Sequence, residues 1–186
     1  MTRIVRVIRV ILWLEKQMIR PILKLGAPVL EKVCNPVEKF DEELRTLVGD
    51  MLETMYAAPG VGLAANQIGV DLRLIVIDIT GGQEEGQQII MANPEIVYQE
   101  GVQREEEGCL SVPDFTATVE RPYKVRVIGQ DLQSNSYEKY GEGLLARALC
   151  HEIDHINGCL YLDRISAFRR DLIKRKIRKL VKAGEW

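Results

Sequence analysis

Histidine is almost absent from this sequence. The 186 residues include only two histidines, His151 and His155, and both lie in the segment HEIDH. Helical residues four positions apart lie on the same face, so two imidazoles with this spacing can hold one metal ion from the same side. The glutamate beside the first imidazole, Glu152, can then reach a water at that ion. Because there is no third histidine, a metal site built from three imidazoles is excluded.

Cysteine is also sparse. The chain has four cysteines, which in a chain of this length do not indicate a disulfide scaffold. This usage indicates a reduced, cytoplasmic protein with one or more functional thiols. Cys150 is next to His151, but it lies about 100° around the helix from it and is therefore a poor candidate ligand. Cys34 and Cys159 adjoin no motif, and we interpret both as structural.

Long hydrophobic runs are missing as well. No uninterrupted apolar run reaches the roughly 20 residues that a membrane-spanning helix needs. The first 17 residues are apolar, but arginines interrupt them and no small-residue cleavage site follows. We expect no membrane segment and no secretory signal. Our hypothesis is that residues 1–17 form an extension without a catalytic role and that residues 18–186 form one catalytic domain; the alternative is that residues 1–17 form an amphipathic surface anchor.

Neither sign of charge dominates the chain. The net charge is −2 and the hydrophobic content is 46%, values that suit one soluble globular domain and exclude a general affinity for nucleic acid. Basic residues are concentrated between positions 164 and 182, where Asp171 is the only acid. A solvated helix face is the favoured interpretation of this segment, and docking on an anionic partner such as RNA is the alternative.

The hydrophobic pattern predicts an α+β fold. An amphipathic helix is expected over residues 40–56 and a loop or irregular strand over 57–69. Two further helices are expected over 143–157 and 167–182, the second with Ser166 as its N-cap. The buried stripe expected for the second helix consists of Phe168, Leu172, Ile173, Ile177, Leu180 and Val181. Strands are predicted at 72–79, 88–92, 95–102, 124–130 and 136–139. No βαβ alternation is present, so the strands should form antiparallel sheets around the helix that carries H-E-x-x-H, with an N-terminal and a C-terminal helix beside them.

A third metal ligand has to come from outside the histidine segment, because catalytic sites usually combine three protein ligands with one open position. Cys109 lies 42 residues before His151, in the segment EGCLS, which we interpret as a turn. The glycine beside it, Gly108, lets the backbone approach an ion or a substrate. The alternative is that Cys109 is a small buried hydrophobe, as free cysteines most often are.

Three segments together resemble the signature motifs of the peptide deformylases. They are GVGLAANQ at residues 60–67, EGCLS at 107–111 and HEIDH at 151–155, in this order and spacing. The resemblance extends from Met18 to the C-terminus. It implies an enzyme that removes the N-formyl group from the initiator methionine of new proteins and releases formate.

The resemblance also implies roles for individual residues. Cys109, His151 and His155 are implied as metal ligands, and Glu152 as the general acid/base. Gln67 and the backbone N–H of Leu110 are implied as the two oxyanion donors. The implied substrate-binding residues are Val61, Gly62, Leu144 and Arg147. Many members carry an apolar residue at the position of Arg147, whereas a subgroup that resembles the plant-organelle and cyanobacterial enzymes carries arginine there. Thr116 stands where better-known members often carry arginine.

The implied cofactor is one divalent metal ion, Fe(II) in cells, with Zn(II), Ni(II) or Co(II) also suited to a site with a thiolate ligand. The implied partners are nascent N-formylmethionyl peptides, and the basic C-terminal helix resembles a part of some bacterial members that docks on the ribosome. No specific nucleic-acid sequence is expected as a partner. Two other functions stay open from the residues alone: a metalloendopeptidase of the H-E-x-x-H type, and a non-catalytic structural zinc domain.

Overall fold

The computed structural model describes residues 17–186. The hypotheses about the N-terminal extension therefore fall, except for Gln17, outside the described residues. The helices and strands in chain order are α1 Glu42–Ala57, β1 Gly62–Ala64, β2 Leu74–Ile77, β3 Ile89–Glu100, β4 Gln103–Cys109, β5 Val112–Arg121, β6 Lys124–Gln130, β7 Ser136–Glu142, α2 Leu144–Ile156 and α3 Ala167–Ala183. Short 3-10 helices lie at Pro28–Glu31, Ala65–Ile68 and Tyr161–Arg164.

The strands form two separate antiparallel sheets. Five strands pair in the order β1-β2-β3-β6-β7, and β4 pairs only with β5. This arrangement confirms the predicted α+β class with antiparallel sheets. Within residues 17–186, we find no helix with both the length and the apolar character that crossing a membrane requires.

At strand β2, the larger sheet is covered by α1 on one face and by α2 on the other. Leu74 and Val76 pack in an apolar cluster with α1, whereas Ile75 and Ile77 pack in another cluster with α2. A strand that is buried on both faces needs apolar residues at every position, which explains why β2 reads LIVI without alternation. The predicted helix α1 is confirmed, and the side chain of Asp41 caps it by accepting a hydrogen bond from the backbone N–H of Leu44 at 3.1 Å.

Two strand predictions need correction. The segments 88–92 and 95–102 belong to one strand, β3, in which register shifts after Ala92 absorb the Asn93-Pro94 break. The strands β4 and β5 were not predicted at all, because Arg104, Glu105 and Glu106 are exposed and hide the alternation of β4. As a result, the interpretation of residues 107–111 as a turn is wrong: β4 continues to Cys109, and the turn consists of Leu110 and Ser111.

The C-terminal helix α3 begins as predicted, but it buries fewer residues than predicted. Ser166 accepts a hydrogen bond from the backbone N–H of Arg169 at its N-terminus. Ile177 is buried in a cluster with residues of β5, and Ile173 packs against the same cluster. The other predicted apolar positions are largely exposed: Phe168 at 76%, Val181 at 55% and Leu172 at 42%. The helix contacts the rest of the domain over about one turn, so its middle is buried and both its ends are exposed to solvent.

Candidate active site

The two histidines and Cys109 come together although they lie on different elements. His151 and His155 are on α2, one turn apart, and Cys109 ends β4 after a register shift against β5. One ligand atom from each of the three residues lies within 4.8 Å of the others. The Sγ of Cys109 is 3.1 Å from the Nε2 of His155, and the two imidazole rings meet edge to face with centroids 5.0 Å apart. The fold therefore provides two nitrogen donors on a helix and one sulfur donor from a strand facing it.

This donor set fits a divalent ion. A thiolate with two imidazoles suits Fe(II), Zn(II), Co(II) and Ni(II), whereas hard ions such as Mg²⁺ prefer oxygen ligands. Three protein ligands also leave a further coordination position, as catalytic sites require. In addition, the Oε2 atom of Glu152 is buried without a hydrogen-bond partner among the described residues. A buried carboxylate oxygen in this state indicates a site built for a group that is supplied from outside the chain.

A buried ion network fixes the first imidazole. Glu107, two residues before Cys109 on β4, lies 3.2 Å from the Nδ1 of His151. Arg121 on β5 holds the same carboxylate with two hydrogen bonds, at 2.9 and 3.0 Å. Burial opposes ionisation of Glu107, but the hydrogen bonds from His151 and Arg121 outweigh it and lower its pKa to about 2. Glu107 is therefore a carboxylate at neutral pH, and it leaves the Nε2 of His151 available for an ion.

The same network joins the two-stranded sheet to α2 at a second point. Arg121 also donates to Asp154 at 2.6 Å, and Asp154 accepts further hydrogen bonds from Arg164. Arg121 and Asp154 are only 4% and 6% exposed. Buried charges of this kind require partners, and here each carboxylate has at least one guanidinium.

Glu152 follows His151 on α2 and lies beside the three donors. It is buried, and burial raises its pKa to about 7. Its neighbour across the cleft is Gly62 of β1: a Cβ built on Gly62 would lie 2.8 Å from the Cδ of Glu152. Only glycine fits at this position without displacing the carboxyl group.

Gln67 also faces the donors. Its Oε1 accepts a hydrogen bond from the backbone N–H of Ala64 at 2.9 Å, which fixes the orientation of the amide. Its Nε2 donates to the Oγ of Ser111 at 3.2 Å and lies 3.7 Å from the Sγ of Cys109. Leu110 directly follows Cys109 and lies in the turn after β4, so its backbone N–H belongs to the residue next to the cysteine.

A cleft of about 470 Å³ opens over these groups. Residues 59–62 line one wall, residues 106–110 and 112–116 line the opposite wall, and α2 contributes the floor. Val61 and Leu144 line the cleft and are 39% and 52% exposed, so both present apolar surface to it. Thr116 also lines the cleft, and its hydroxyl donates to Glu106 at 2.7 Å.

Arg147 lines the cleft as well, but it is buried and its guanidinium is engaged. It donates to Gln103, to the backbone oxygen of Glu105 and to Glu107 at 3.2–3.3 Å. The guanidinium therefore contacts β4, and the remainder of the side chain is left to face the cleft.

The site contains residues that the sequence patterns did not single out. Glu107 carried a signal, since it belongs to the EGCLS segment beside Cys109, and so did Asp154, which lies inside HEIDH. Arg121 carried none, because an isolated arginine on a strand is usually a surface residue. The other cysteines lie apart from the three donors, and burial raises the pKa of Cys34 and of Cys150 to about 11.

Comparisons with known proteins identify relatives that match most of this chain. Residues 19–171 match the family model described as polypeptide deformylase. A peptide deformylase of Acidobacterium capsulatum is 53% identical over 169 residues, which cover 91% of this chain and 99% of that protein. The crystal structure of a peptide deformylase from Legionella pneumophila is 52% identical, with a TM-score of 0.83 over 89% of this chain and 97% of that one. A plant peptide deformylase structure has the same TM-score at 33% identity, over 89% of this chain and 91% of that one.

Proposed function

The chain belongs to the polypeptide deformylase family, and we propose how its residues carry out the reaction of that family, the hydrolysis of the N-formyl group of a nascent polypeptide to formate and a free α-amine. The observation that carries the proposal is the convergence of Cys109, His151 and His155 beside the buried Glu152 at the floor of an open cleft.

Cys109, His151 and His155 are the ligands of one divalent metal ion. When bound, this ion supplies Lewis acidity, which lowers the pKa of water and stabilises negative charge on a carbonyl oxygen. We expect Fe(II) in cells, and Zn(II), Ni(II) or Co(II) also suits the donor set.

Glu152 is the general acid/base. It accepts a proton from the attacking water and passes it to the amine nitrogen as the C–N bond of the formamide breaks. Its burial supports this role, because a pKa of about 7 allows one carboxyl group both to take and to release a proton near neutral pH.

Gln67 and the backbone N–H of Leu110 stabilise the oxyanion that forms when water adds to the formyl carbon. The amide of Gln67 is held in place by Ala64 through its oxygen, so its nitrogen needs no reorientation during the reaction. Preorganised donors of this kind contribute about 3 kcal/mol each to transition-state stabilisation.

The peptide binds as an added strand along β1. This strand is an edge of the five-stranded sheet, and its outer side borders the cleft. Backbone groups of Val61 and Gly62 pair with the substrate, and the methionine side chain lies against Val61, Leu144 and the stem of Arg147.

The test is anaerobic purification followed by elemental analysis and a formate-release assay on a formyl-Met peptide. We expect one divalent ion per chain and formate release that a chelator abolishes. Glu152→Gln should retain the ion and lose turnover, and Gln67→Ala should retain the ion and lose about 100-fold in kcat. Casein digestion without formate release would contradict the proposal and favour a metalloendopeptidase. An ion bound without either activity in the wild type would favour a structural zinc domain.

Residues 18–186 form the catalytic domain. The backbone N–H of Met18 donates to the buried Asp50 at 2.8 Å, and Arg20 forms an ion pair with the same carboxylate. The first described residues therefore already contact α1, and the side chain of Gln17 also lies against Gly49. A chain without residues 1–17 should fold and release formate at the wild-type rate, and loss of either property would contradict a passive extension.

The protein works in the cytoplasm, where nascent formylated chains arise, and α3 contacts the ribosome. Its exposed surface combines a run of basic residues with Phe168 and Leu172. Charge reversal at Lys176 and Lys179 should reduce co-sedimentation with ribosomes and leave formate release from a short peptide unchanged. Equal co-sedimentation of the variant and the wild type would exclude this contact.

A further inference from the structure

We infer that Arg147 is a positioning residue, which acts through Glu107 to fix both the imidazole of His151 and the strand that ends at Cys109. The inference rests on the proposed function, in which these two residues are metal ligands. It assigns Arg147 a role other than recognition of the substrate by its charge.

The contacts of the guanidinium define this role. Arg147 is 6% exposed, and it donates to the carboxylate of Glu107 at 3.3 Å, to the backbone oxygen of Glu105 at 3.2 Å and to the side chain of Gln103 at 3.2 Å. All three acceptors belong to β4. A guanidinium held by three acceptors on one strand has a fixed orientation, because its donors form a planar fork.

Arg147 and His151 are one helical turn apart, and Glu107 contacts both. One oxygen of its carboxylate accepts from Arg147, and the other lies 3.2 Å from the Nδ1 of His151. A hydrogen bond at Nδ1 sets the orientation of the ring and leaves Nε2 for an ion. The guanidinium of Arg147 therefore limits the positions that the carboxylate can take against the imidazole.

The contacts of Arg147 also take the place of backbone hydrogen bonds, which do not connect the two sheets in the described part of the chain. The strand β4 belongs to the two-stranded sheet, which shares no backbone ladder with the larger sheet. Cys109 is its last residue, so the position of the sulfur depends on how β4 is held against α2. Arg147 forms such a link from the first half of α2, while Arg121 and Asp154 form another near its end.

The same contacts explain how arginine can line an apolar pocket. With the guanidinium bound to β4, the methylene groups of Arg147 are the part left for the cleft, which they line together with Leu144. Methionine at this position would keep the apolar surface and remove only the guanidinium.

The experiment compares Arg147→Met, Arg147→Lys and a control, Arg104→Met. Arg104 lies on β4, the strand that Arg147 contacts, but it is exposed and pairs with Glu120 at the surface. We expect Arg147→Met to weaken Co(II) or Zn(II) binding by about tenfold, to change the visible spectrum of the Co(II) form, and to lower kcat while KM stays within about twofold. Arg147→Lys should recover part of each property, and the control should match the wild type.

A double-mutant cycle with Glu107→Gln tests whether Arg147 acts through Glu107. The double variant should bind metal about as weakly as Glu107→Gln alone, because the guanidinium then has no carboxylate to orient. Additive losses would overturn the inference. If Glu107→Gln does not fold, the Co(II) spectra decide: a wild-type spectrum in Arg147→Met, or a raised KM with unchanged kcat, would likewise overturn it. Absence of formate release in the wild type would instead reject the proposed function.

Discussion

Helix α2 contacts the five-stranded sheet through apolar side chains and the two-stranded sheet through charged ones. On the first side, Ala146, Leu149 and Ile153 pack in one cluster with strand residues such as Val127. On the second side, buried ion pairs and hydrogen bonds connect Glu107 and Arg121 of the strands with side chains of the helix.

The two contacts contribute different properties to the domain. Apolar burial is non-directional, so it stabilises the fold but does not fix the rotation of any one side chain. Buried ion pairs contribute little net stability compared with apolar packing, because desolvation offsets their attraction. They do, however, require defined angles and distances. The site therefore obtains its stability from one side of α2 and the orientation of its candidate metal ligands from the other.

The largest effect is expected from Arg121→Ala. The variant leaves Glu107 without its bidentate partner and Asp154 without one of its two guanidinium groups, and breaking a buried pair in this way costs about 4 kcal/mol of unfolding free energy. Urea unfolding monitored by circular dichroism measures this loss. Arg104→Ala, which removes an exposed pair, should cost less than about 1 kcal/mol. Equal losses in the two variants would mean that the network contributes no more than a surface pair.

A smaller loss of stability, without loss of site geometry, is expected from Leu149→Ala on the apolar side. Leu149 is fully buried, so the cavity left by this change should cost about 3 kcal/mol. The affinity for metal and the kcat of the folded fraction should stay near the wild-type values. Leu172→Ala, at an exposed position on α3, is the matched control and should leave stability unchanged. A large drop in metal affinity for Leu149→Ala would show that the two sides of α2 are not separable.

Gly62→Ala should affect the reaction through the carboxyl group of Glu152 on α2, and not through the contacts of α2 with either sheet. The added methyl group displaces the carboxyl group of Glu152, and a shift of about 1 Å in a reacting group costs on the order of 100-fold in rate. The end of a glutamate side chain moves easily, so the free energy of unfolding should hardly change. Formate release and thermal unfolding together test this prediction. Wild-type kcat in the variant would mean that the carboxyl group has room to move.

The smallest effect is expected at Asp78, a buried carboxylate that accepts hydrogen bonds from neutral groups. Burial opposes its ionisation, but hydrogen bonds from Thr80, Tyr56 and backbone N–H groups outweigh it and hold its pKa below the ordinary value of 3.8. A pKa that is lower in the folded than in the unfolded chain stabilises the protein above pH 3.8, and this contribution is lost as the pH falls through the folded-state pKa.

Asp78→Asn should therefore cost about 1–2 kcal/mol at neutral pH and progressively less below pH 3.8. Denaturant unfolding of both proteins across this range gives the difference. A difference that is independent of pH would show that the charge of Asp78 is not involved.

The sequence predicted the parts of the site that lie close together in the chain or in a recognisable motif. His151, Glu152 and His155 follow from helical spacing, and Cys109 follows from its motif. The network around Arg121 could not be predicted, because it joins residues 14 and 33 positions apart whose pairing depends on the register of β4 against β5 and on how this sheet lies against α2.

The fold was predictable to a similar extent. The apolar run of β2 and the apolar stripe of α1 predict a strand and a helix, because the buried positions of these elements require apolar residues. The strand β4 escaped prediction, since Glu105 and Glu106 face solvent while the inward Glu107 is also charged. A strand that carries a charged residue at its buried position shows no alternation of apolar and polar residues, which is the pattern that predicts a strand. The exposed ends of α3 show the opposite error, in which an apolar stripe does not guarantee burial.

The separation of the two sheets has a consequence for the width of the cleft. Its walls belong to different hydrogen-bonded ladders, so the gap between them is set by the lengths of the side chains that bridge β4 to α2 rather than by the fixed spacing of paired strands. Shortening one bridging side chain by a single methylene, as in Glu107→Asp, would draw one wall toward the helix. The aperture available to a peptide can thus be adjusted by the length of a buried charged side chain, while the backbone pairing within each sheet stays as it is.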